Sequence, residues 1–293
     1  MLKSTIDFLK YRWIAIGFSL TLFIVFMTMT VYRGGINMGV DFVGGVKIIG
    51  KFSKGIDEGK IREVLKDYNP MIQQIGADDK YEYIISTKLK TDKETSEIES
   101  EKIKRTLAEK FQNVEFLSVE NVGPAIGDFL KKSALKLFFV AIILMAVYLA
   151  FRFEFKYSIA AMAAIVHDIT LCFMFCGFTG IEFSVPIVAA LLTIFGYSMN
   201  DTIVIFDRIR ENIQLQTKTN YLDLVNKSIT QSLSRTLLTS LTTLFAVLAL
   251  YLIGGEGIND FAQVLLFGIV IGTYSTVYLA SPVLVAWERI RAR

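Results

Sequence analysis

Apolar residues along this chain gather into six long runs, at 13–32, 135–151, 157–181, 184–206, 236–253 and 261–287, with polar stretches between them. A bilayer's hydrocarbon core takes about 20 helical residues per crossing, so the runs predict six transmembrane helices. The second run is the shortest, and Lys136 at its edge can snorkel its ammonium to the interface. The first and sixth hold no charge. Residues 33–134 follow another rhythm. Strand-like stretches at 46–52, 71–75, 81–87 and 114–122 alternate with helix-spaced apolar positions at 57–68 and 97–111. Asn69 and Pro70 break the first of these helices, 76–80 reads as a turn, and the polar stretch 91–101 as a mobile connection. The order β-α-β-β-α-β is that of the split βαβ, ferredoxin-like unit. The predicted class is a polytopic α-helical membrane protein of six transmembrane helices, with a small α+β domain between helices one and two.

Composition agrees: 53% of the 293 residues are apolar. The net charge of +3 is too small to imply nucleic-acid binding. Its placement is more informative, because Lys and Arg beside spans are left in the cytoplasm. Residues 1–12 carry Lys3, Lys10 and Arg12, the second turn carries Arg152 and Lys156, and the loop 207–235 carries Arg208, Arg210, Lys218, Lys227 and Arg235. The tail 288–293 carries Arg289, Arg291 and Arg293, whereas the short loops 180–183 and 254–260 have no Lys or Arg. Both termini are therefore expected in the cytoplasm and 33–134 outside, with helices two to six over 135–287. Run one exceeds the apolar region of a signal peptide, and no small-residue cleavage pattern precedes Arg33; it reads as an uncleaved span. Within 207–235, residues 222–234 suggest an amphipathic helix packed under the bundle. Cys172 and Cys176 sit one helical turn apart and are poorly placed for a disulfide.

Candidate chemistry begins where polar groups interrupt the runs. The fourth run carries Asn200 and Asp201. A charged side chain at mid-membrane costs roughly 3 kcal/mol on insertion scales, and such residues usually line ion or proton paths or pair with another buried group. Arg235, at the start of the fifth run, is the expected partner, permanently cationic. A carboxylate that alternates between a desolvated setting and a cation takes up and releases protons; the alternative is a static ion pair. Arg235, Thr239 and Thr242 share a helical stripe, which suits either a wet path or ordinary interhelical hydrogen bonding. His167 and Asp168 in the third run form a second candidate, as a relay or as a structural polar pair. Gly268 and Gly272 have the spacing of close helix contact, and the stretch with Gly39, Asp41, Gly44 and Gly45 suggests a hinge below the outer domain. A single His without a thiolate cluster argues against a metal. No phosphate-binding loop occurs, so no nucleotide or other cofactor is expected, and no catalytic residue is assigned. An intramembrane aspartyl protease would have two carboxylates here, Asp168 and Asp201, but lacks the G-x-G-D type motif. A scaffold whose polar residues only fix packing is the other alternative.

The stretch GYSMNDTIVIFDRIREN at 196–212 resembles the fourth-span signature of the SecF branch of the SecD/SecF protein-export family. Further stretches agree in order and spacing: GVDFVGG at 39–45, Val122-Gly123-Pro124, His167-Asp168, 234–243 and 272–282. The resemblance covers almost the whole chain. It implies a half of the resistance-nodulation-division transporter fold, completed by SecD, in the bacterial cytoplasmic (inner) membrane. The implied role is to use the proton gradient to drive an unfolded polypeptide through the SecYEG channel after the ATP-dependent SecA step. YidC and YajC are implied as further partners. Asp201 and Arg235 match the family's intramembrane acid and base, with Asn200 in the same motif. The implied activity is that of a proton-coupled subunit, not an enzyme.

Overall fold

A computed structural model describes residues 6–75, 81–89, 95–215 and 220–291. Six of its helices are long and apolar enough to cross a membrane: Leu9–Tyr32, Pro124–Arg152, Phe155–Thr179, Val185–Leu215, Tyr221–Ile253 and Gly257–Ile290. The corresponding α-helical elements are α1 (Arg12–Tyr32), α5 (Pro124–Arg152), α6 (Phe155–Thr179), α7 (Val185–Leu215), α8 (Tyr221–Ile253) and, in the sixth span, α9 (Glu256–Ser275) and α10 (Ser281–Arg291). Most exceed their apolar runs because the flanking polar residues continue the helix. α5 begins at Pro124, with proline in the first turn where its missing N–H is no loss. The amphipathic stretch at 222–234 is not a separate helix. It is the beginning of α8, since no Gly or Pro interrupts 221–253, and the Asn220 side chain caps it by accepting from the Leu222 N–H at 3.2 Å. Its apolar side, Leu224, Val225 and Ile229, is buried beside Tyr157, Phe206 and Ile209.

Between α9 and α10 the chain makes a π-helical turn, Thr276–Ala280. Pro282 follows two residues later and cannot donate to the carbonyl one α-turn back. The Ser281 hydroxyl donates to the Thr276 carbonyl at 3.3 Å. α7 and the sixth span are the most buried of the six, α5 and α8 the least.

The apolar interior of the bundle forms two large clusters and a small third one, Phe26, Leu171 and Ile271. One cluster, with Leu149, Tyr157, Phe206, Ile229 and Leu284, fills one end. Another, with Cys172, Cys176, Ile187, Leu191, Ala262 and Leu265, fills the end nearer the sheet. The two cysteines are buried free thiols.

The remaining elements are α2 (Val40–Val43), β1 (Gly45–Lys51), α3 (Glu58–Val64), β2 (Met71–Ile75), β3 (Glu82–Lys88), α4 (Ser96–Lys110) and β4 (Glu115–Val122). The strands form one antiparallel sheet in the order β2-β3-β1-β4. Ile48 of β1 pairs with Ile85 and Val119 on either side. The register against β4 shifts between Ile49 and Gly50, leaving Leu117 unopposed. Ile61 and Leu65 from the α3 region and Ile103 and Leu107 from α4 cover the sheet, packed on Val46, Ile48, Ile72 and Ile85. α3 ends as a 3-10 turn closed by Asn69 in the left-handed region (φ 45°) ahead of Pro70. The turn expected at 76–80 lies outside the described residues. So do 91–94 of the polar connection expected at 91–101, whose remainder enters α4 at Ser96.

The junction between sheet and bundle is tightly built. The stretch read as a hinge forms the single turn α2, wedged between β3, the start of α5 and the α6–α7 loop. A Cβ on Gly45 would lie 2.2 Å from the Thr87 carbonyl oxygen, and Gly44 has φ +84° with Pro124 against it. Gly39 N–H donates to the Phe183 carbonyl at 2.8 Å, and Phe183 N–H donates to the Asn37 carbonyl at 2.8 Å. Glu182 is half-buried and accepts from the Val40 N–H at 3.2 Å. Burial pushes its carboxyl above the ordinary value, and Asp41 adds to that, while the Val40 N–H, Lys47 and Lys88 pull the other way.

Gly45→Ala is expected to lower stability by roughly 1–3 kcal/mol through overpacking against backbone. Gly59→Ala, on an exposed helical turn, should raise it by up to about 1 kcal/mol; denaturant unfolding of both variants checks the contrast. Glu182 binds its proton more tightly folded than unfolded. The linked stabilisation is therefore complete below the ordinary carboxylate pKa and is lost as pH rises through the raised value. Glu182→Gln should remove that component from the profile of melting temperature against pH between the carboxylate range and neutrality.

Candidate functional site

A ladder of close approaches along α7 and α9 sets the site's geometry. A Cβ on Gly268 would lie 2.2 Å from Ile194 Cδ1, and one on Gly272 would lie 3.1 Å from Ser198 Cβ. One turn further, Thr276 and Thr202 share a hydrogen bond at 3.0 Å between their hydroxyls. Each rung advances four residues on both helices, so the small side chains hold two backbones close and bring their polar groups into register. These groups form a seam between the two large apolar clusters.

Asp168 of α6 is buried at the centre of this seam. Its Oδ2 accepts from the Ser198 hydroxyl at 2.6 Å and the Ser275 hydroxyl at 2.7 Å. Its Oδ1 lies 2.9 Å from His167 Nδ1. The His167 Nε2 atom is buried and has no hydrogen-bond partner among the described residues. The hydroxyl bonds are at the optimum length for O–H···O contacts, and they tie α6, α7 and α9 to one carboxyl group.

Asp201 is equally buried but held differently. The Thr239 hydroxyl lies 3.3 Å from its Oδ1, and the Ser240 hydroxyl 3.4 Å from its Oδ2, both beyond the usual range. Each hydroxyl has a single proton and a nearer hydrogen-bonding neighbour, a carbonyl acceptor for Thr239 and a hydroxyl that can donate or accept for Ser240. Thr239 lies 2.9 Å from the Thr236 carbonyl, and Ser240 lies 2.7 Å from the Thr273 hydroxyl. Arg235 lies one turn before Thr239 on α8, near enough to act on the carboxyl through space. Among the described residues no ion pair within 4.0 Å joins them. Asp201 is thus enclosed without a firm donor.

Sequence reasoning chose the stripe Arg235, Thr239 and Thr242 on α8. Arg235 and Thr242 are exposed, and Thr242 bonds only to the carbonyls of Leu238 and Thr239, each at 2.9 Å. The buried stripe is Thr236, Ser240 and Val247. Asn200 is also exposed. Asn200 on α7 and Arg235 and Thr242 on α8 are therefore exposed polar groups, and Leu238 and Leu241 on α8 are exposed too. Residues not singled out in advance are Ser198, Thr202, Ser240, Thr273, Ser275 and Thr276. They lie within the stretches 196–212, 234–243 and 272–282 that carry the family resemblance, but hydroxyls recurring in apolar runs are common in membrane helices, and nothing marks these individually. Gly39, Asp41, Gly44 and Gly45 sit at the junction, away from the seam. Among the described residues no three His, Cys, Asp or Glu side chains are grouped to hold a metal ion.

Fold and seam together define a multi-pass membrane protein with carboxyl groups buried in its helical bundle and a small sheet domain at one end. The family model described as "Protein export membrane protein SecD/SecF, C-terminal" matches residues 102–290. A protein translocase subunit SecF from Calditerrivibrio nitroreducens is 40% identical over 99% of this chain and 96% of its own length. One from Desulfurispirillum indicum is 37% identical over 97% of this chain and 92% of its own. A crystal structure of SecDF from Thermus thermophilus superimposes with a TM-score of 0.85 at 34% identity, covering 99% of this chain and 39% of that one. A SecDF structure described as the super-membrane-facing form gives 0.73 at the same identity. The chain belongs to the SecD/SecF family.

The two carboxyl groups should respond unequally to loss of their hydroxyl neighbours. Ser198→Ala or Ser275→Ala removes a short bond to a carboxylate and is expected to cost about 1.5–3 kcal/mol. Thr239→Val, at a long contact, should cost less than about 1 kcal/mol; thermal unfolding in detergent compares them.

Proposed function

We propose that this chain is the SecF-type subunit of a bacterial Sec translocase, using the proton motive force to promote protein export. It works with SecD and the SecYEG channel, after the ATP-driven SecA step, with YidC and YajC as associated subunits. The observation that carries the reading is Asp201, buried within the fourth apolar helix next to exposed Asn200, with hydroxyl contacts no shorter than 3.3 Å. A carboxyl group in that position changes its best partner when the helices move. Asp201 takes up and releases the proton, Arg235 is the fixed cation, and Asn200 lines the approach. His167 and Asp168 either relay protons onward or hold the helices.

The exposed Arg235 and Asn200 also support a second membrane half, because a guanidinium facing lipid is costly. SecD supplies that half in this reading. The Thermus thermophilus relative named SecDF is longer, and this chain spans 36% of it. The bundle is then one half of a resistance-nodulation-division fold. The sheet domain is a ferredoxin-like unit outside the inner membrane, and both termini are cytoplasmic. The strand order β2-β3-β1-β4 and the Lys and Arg placement support these assignments. No observation favours the protease reading, since the two carboxyl groups bond to separate hydroxyls.

Energies suffice. One charge crossing 100 mV gains about 2.3 kcal/mol, and reversing a two-state population from 1:99 to 99:1 takes about 5.5 kcal/mol. Two protons therefore come close to a full switch. Asp201→Asn, produced with its SecD partner, should lose gradient-stimulated export by about tenfold or more, the effect of ~1.4 kcal/mol, while the complex still co-purifies. Normal stimulated export in that variant removes the reading.

A further inference from the structure

The junction joins the root of the outer domain to the helix that carries Asp201. α7 begins at Val185, and its first N–H groups have no partner within the helix. The Val185 N–H donates to Asp41 Oδ2 at 2.9 Å, so α7 is capped by a carboxylate 144 residues earlier in the chain. A capping acid normally sits at the helix's own N-terminus. Here, among the described residues, the neighbouring Ser184 makes only the backbone bond, its carbonyl accepting from the Val188 N–H at 3.1 Å.

Other contacts hold the same two segments in register. Met38 and Phe183 form a parallel bridge, with the Phe183 N–H bonded to Asn37 and the Gly39 N–H bonded back to Phe183. Glu182 reciprocates the cap by accepting from Val40 in α2. The rings of Phe42 and Phe183 stack at 5.7 Å. A Cβ on Gly39 would approach the Phe183 carbonyl to 3.0 Å, so the segments touch through backbone. On the other side α2 leads through Gly44 directly into β1, the second strand from the β4 edge of the sheet. Asp41, the first turn of α7 and the sheet are thus linked without an intervening flexible segment.

We propose that Asp41 is a positioning residue for energy coupling, clamping the outer end of α7 to the root of the outer domain so that displacement of α7 at Asp201 is transmitted to the sheet. The coupling role rests on the proton-driven reading above; the clamp itself rests on geometry alone. A hinge would allow the domain to swing while α7 stayed still. A clamp makes the two move as one body.

The test uses the full chain with its SecD-type partner and the export channel in proteoliposomes. Asp41→Ala removes the acceptor. Val185→Pro removes the donor, and proline is well tolerated at a helix's first position. Asp41→Asn keeps an oxygen that accepts the same bond. Hydrogen exchange at the first turn of α7 should rise about fivefold in Asp41→Ala, the loss of one cap worth ~1 kcal/mol, and remain near wild type in Asp41→Asn. Gradient-stimulated export should fall to the Asp201→Asn level in Asp41→Ala and Val185→Pro, with the SecD complex intact, and be retained in Asp41→Asn. Normal stimulated export in either disruptive variant overturns the proposal, as does an Asp41→Asn variant as defective as Asp41→Ala. Should Asp41→Ala fail to assemble, Val185→Pro decides. Normal export from Asp201→Asn alongside loss from Asp41→Ala would sink the proton reading and leave the clamp standing.

Discussion

The bundle depends on how closely α7 and α9 approach. Gly268 and Gly272 present no side chain to α7, and the space they leave is taken by Ile194 and by Ser198. Larger residues there would push the helices apart by the width of a methyl group or more. The Thr202–Thr276 bond and the two hydroxyl bonds to Asp168 would then exceed useful length. Polar groups in hydrocarbon are tolerable only when bonded to one another. A glycine spacing that reads as a packing device therefore also governs whether an acid can reside in this bundle.

The two buried acids show how similar burial gives different behaviour. Asp168 receives three near neighbours at 2.6 to 2.9 Å and draws three helices together. Asp201 has two hydroxyls at 3.3 and 3.4 Å, each closer to another polar group than to the carboxyl. Firm satisfaction stabilises one arrangement, whereas incomplete satisfaction leaves arrangements close in energy. On the proposed reading Asp201 is the group that changes partner as the helices move.

The spans were legible because six apolar runs have nearly bilayer length, and the sheet domain because its periodicity alternates between two and about 3.6. Asp201, Arg235 and Asp168 were legible because charge in an apolar run is conspicuous. The hydroxyl partners were not. Ser and Thr recur throughout these helices, and a helical wheel fixes which residues share a face without saying where that face points. The stripe through Arg235 and the stripe through Ser240 are about 140° apart on α8, and only packing against α7 and α9 distinguishes them. The nature of the stretch 39–45 was also hidden, since glycines that permit flexibility and glycines that permit tight packing look alike. Gly45, with a carbonyl where its Cβ would be, is of the second kind.

The π-turn at Thr276–Ala280 affects how the sixth span is phased. A wider turn holds more residues per revolution than an α-turn, so the surfaces before and after it are rotated from a common helical stripe. Before it, Ser275 bonds to Asp168, and at its start Thr276 bonds to Thr202; after it, Trp287 packs edge-on to Phe155, and Glu288 lies 3.4 Å from Lys156. The surplus residue works as a phase shift, offsetting the hydroxyl-bearing half about the helix axis from the half that carries the aromatic and ionic anchors.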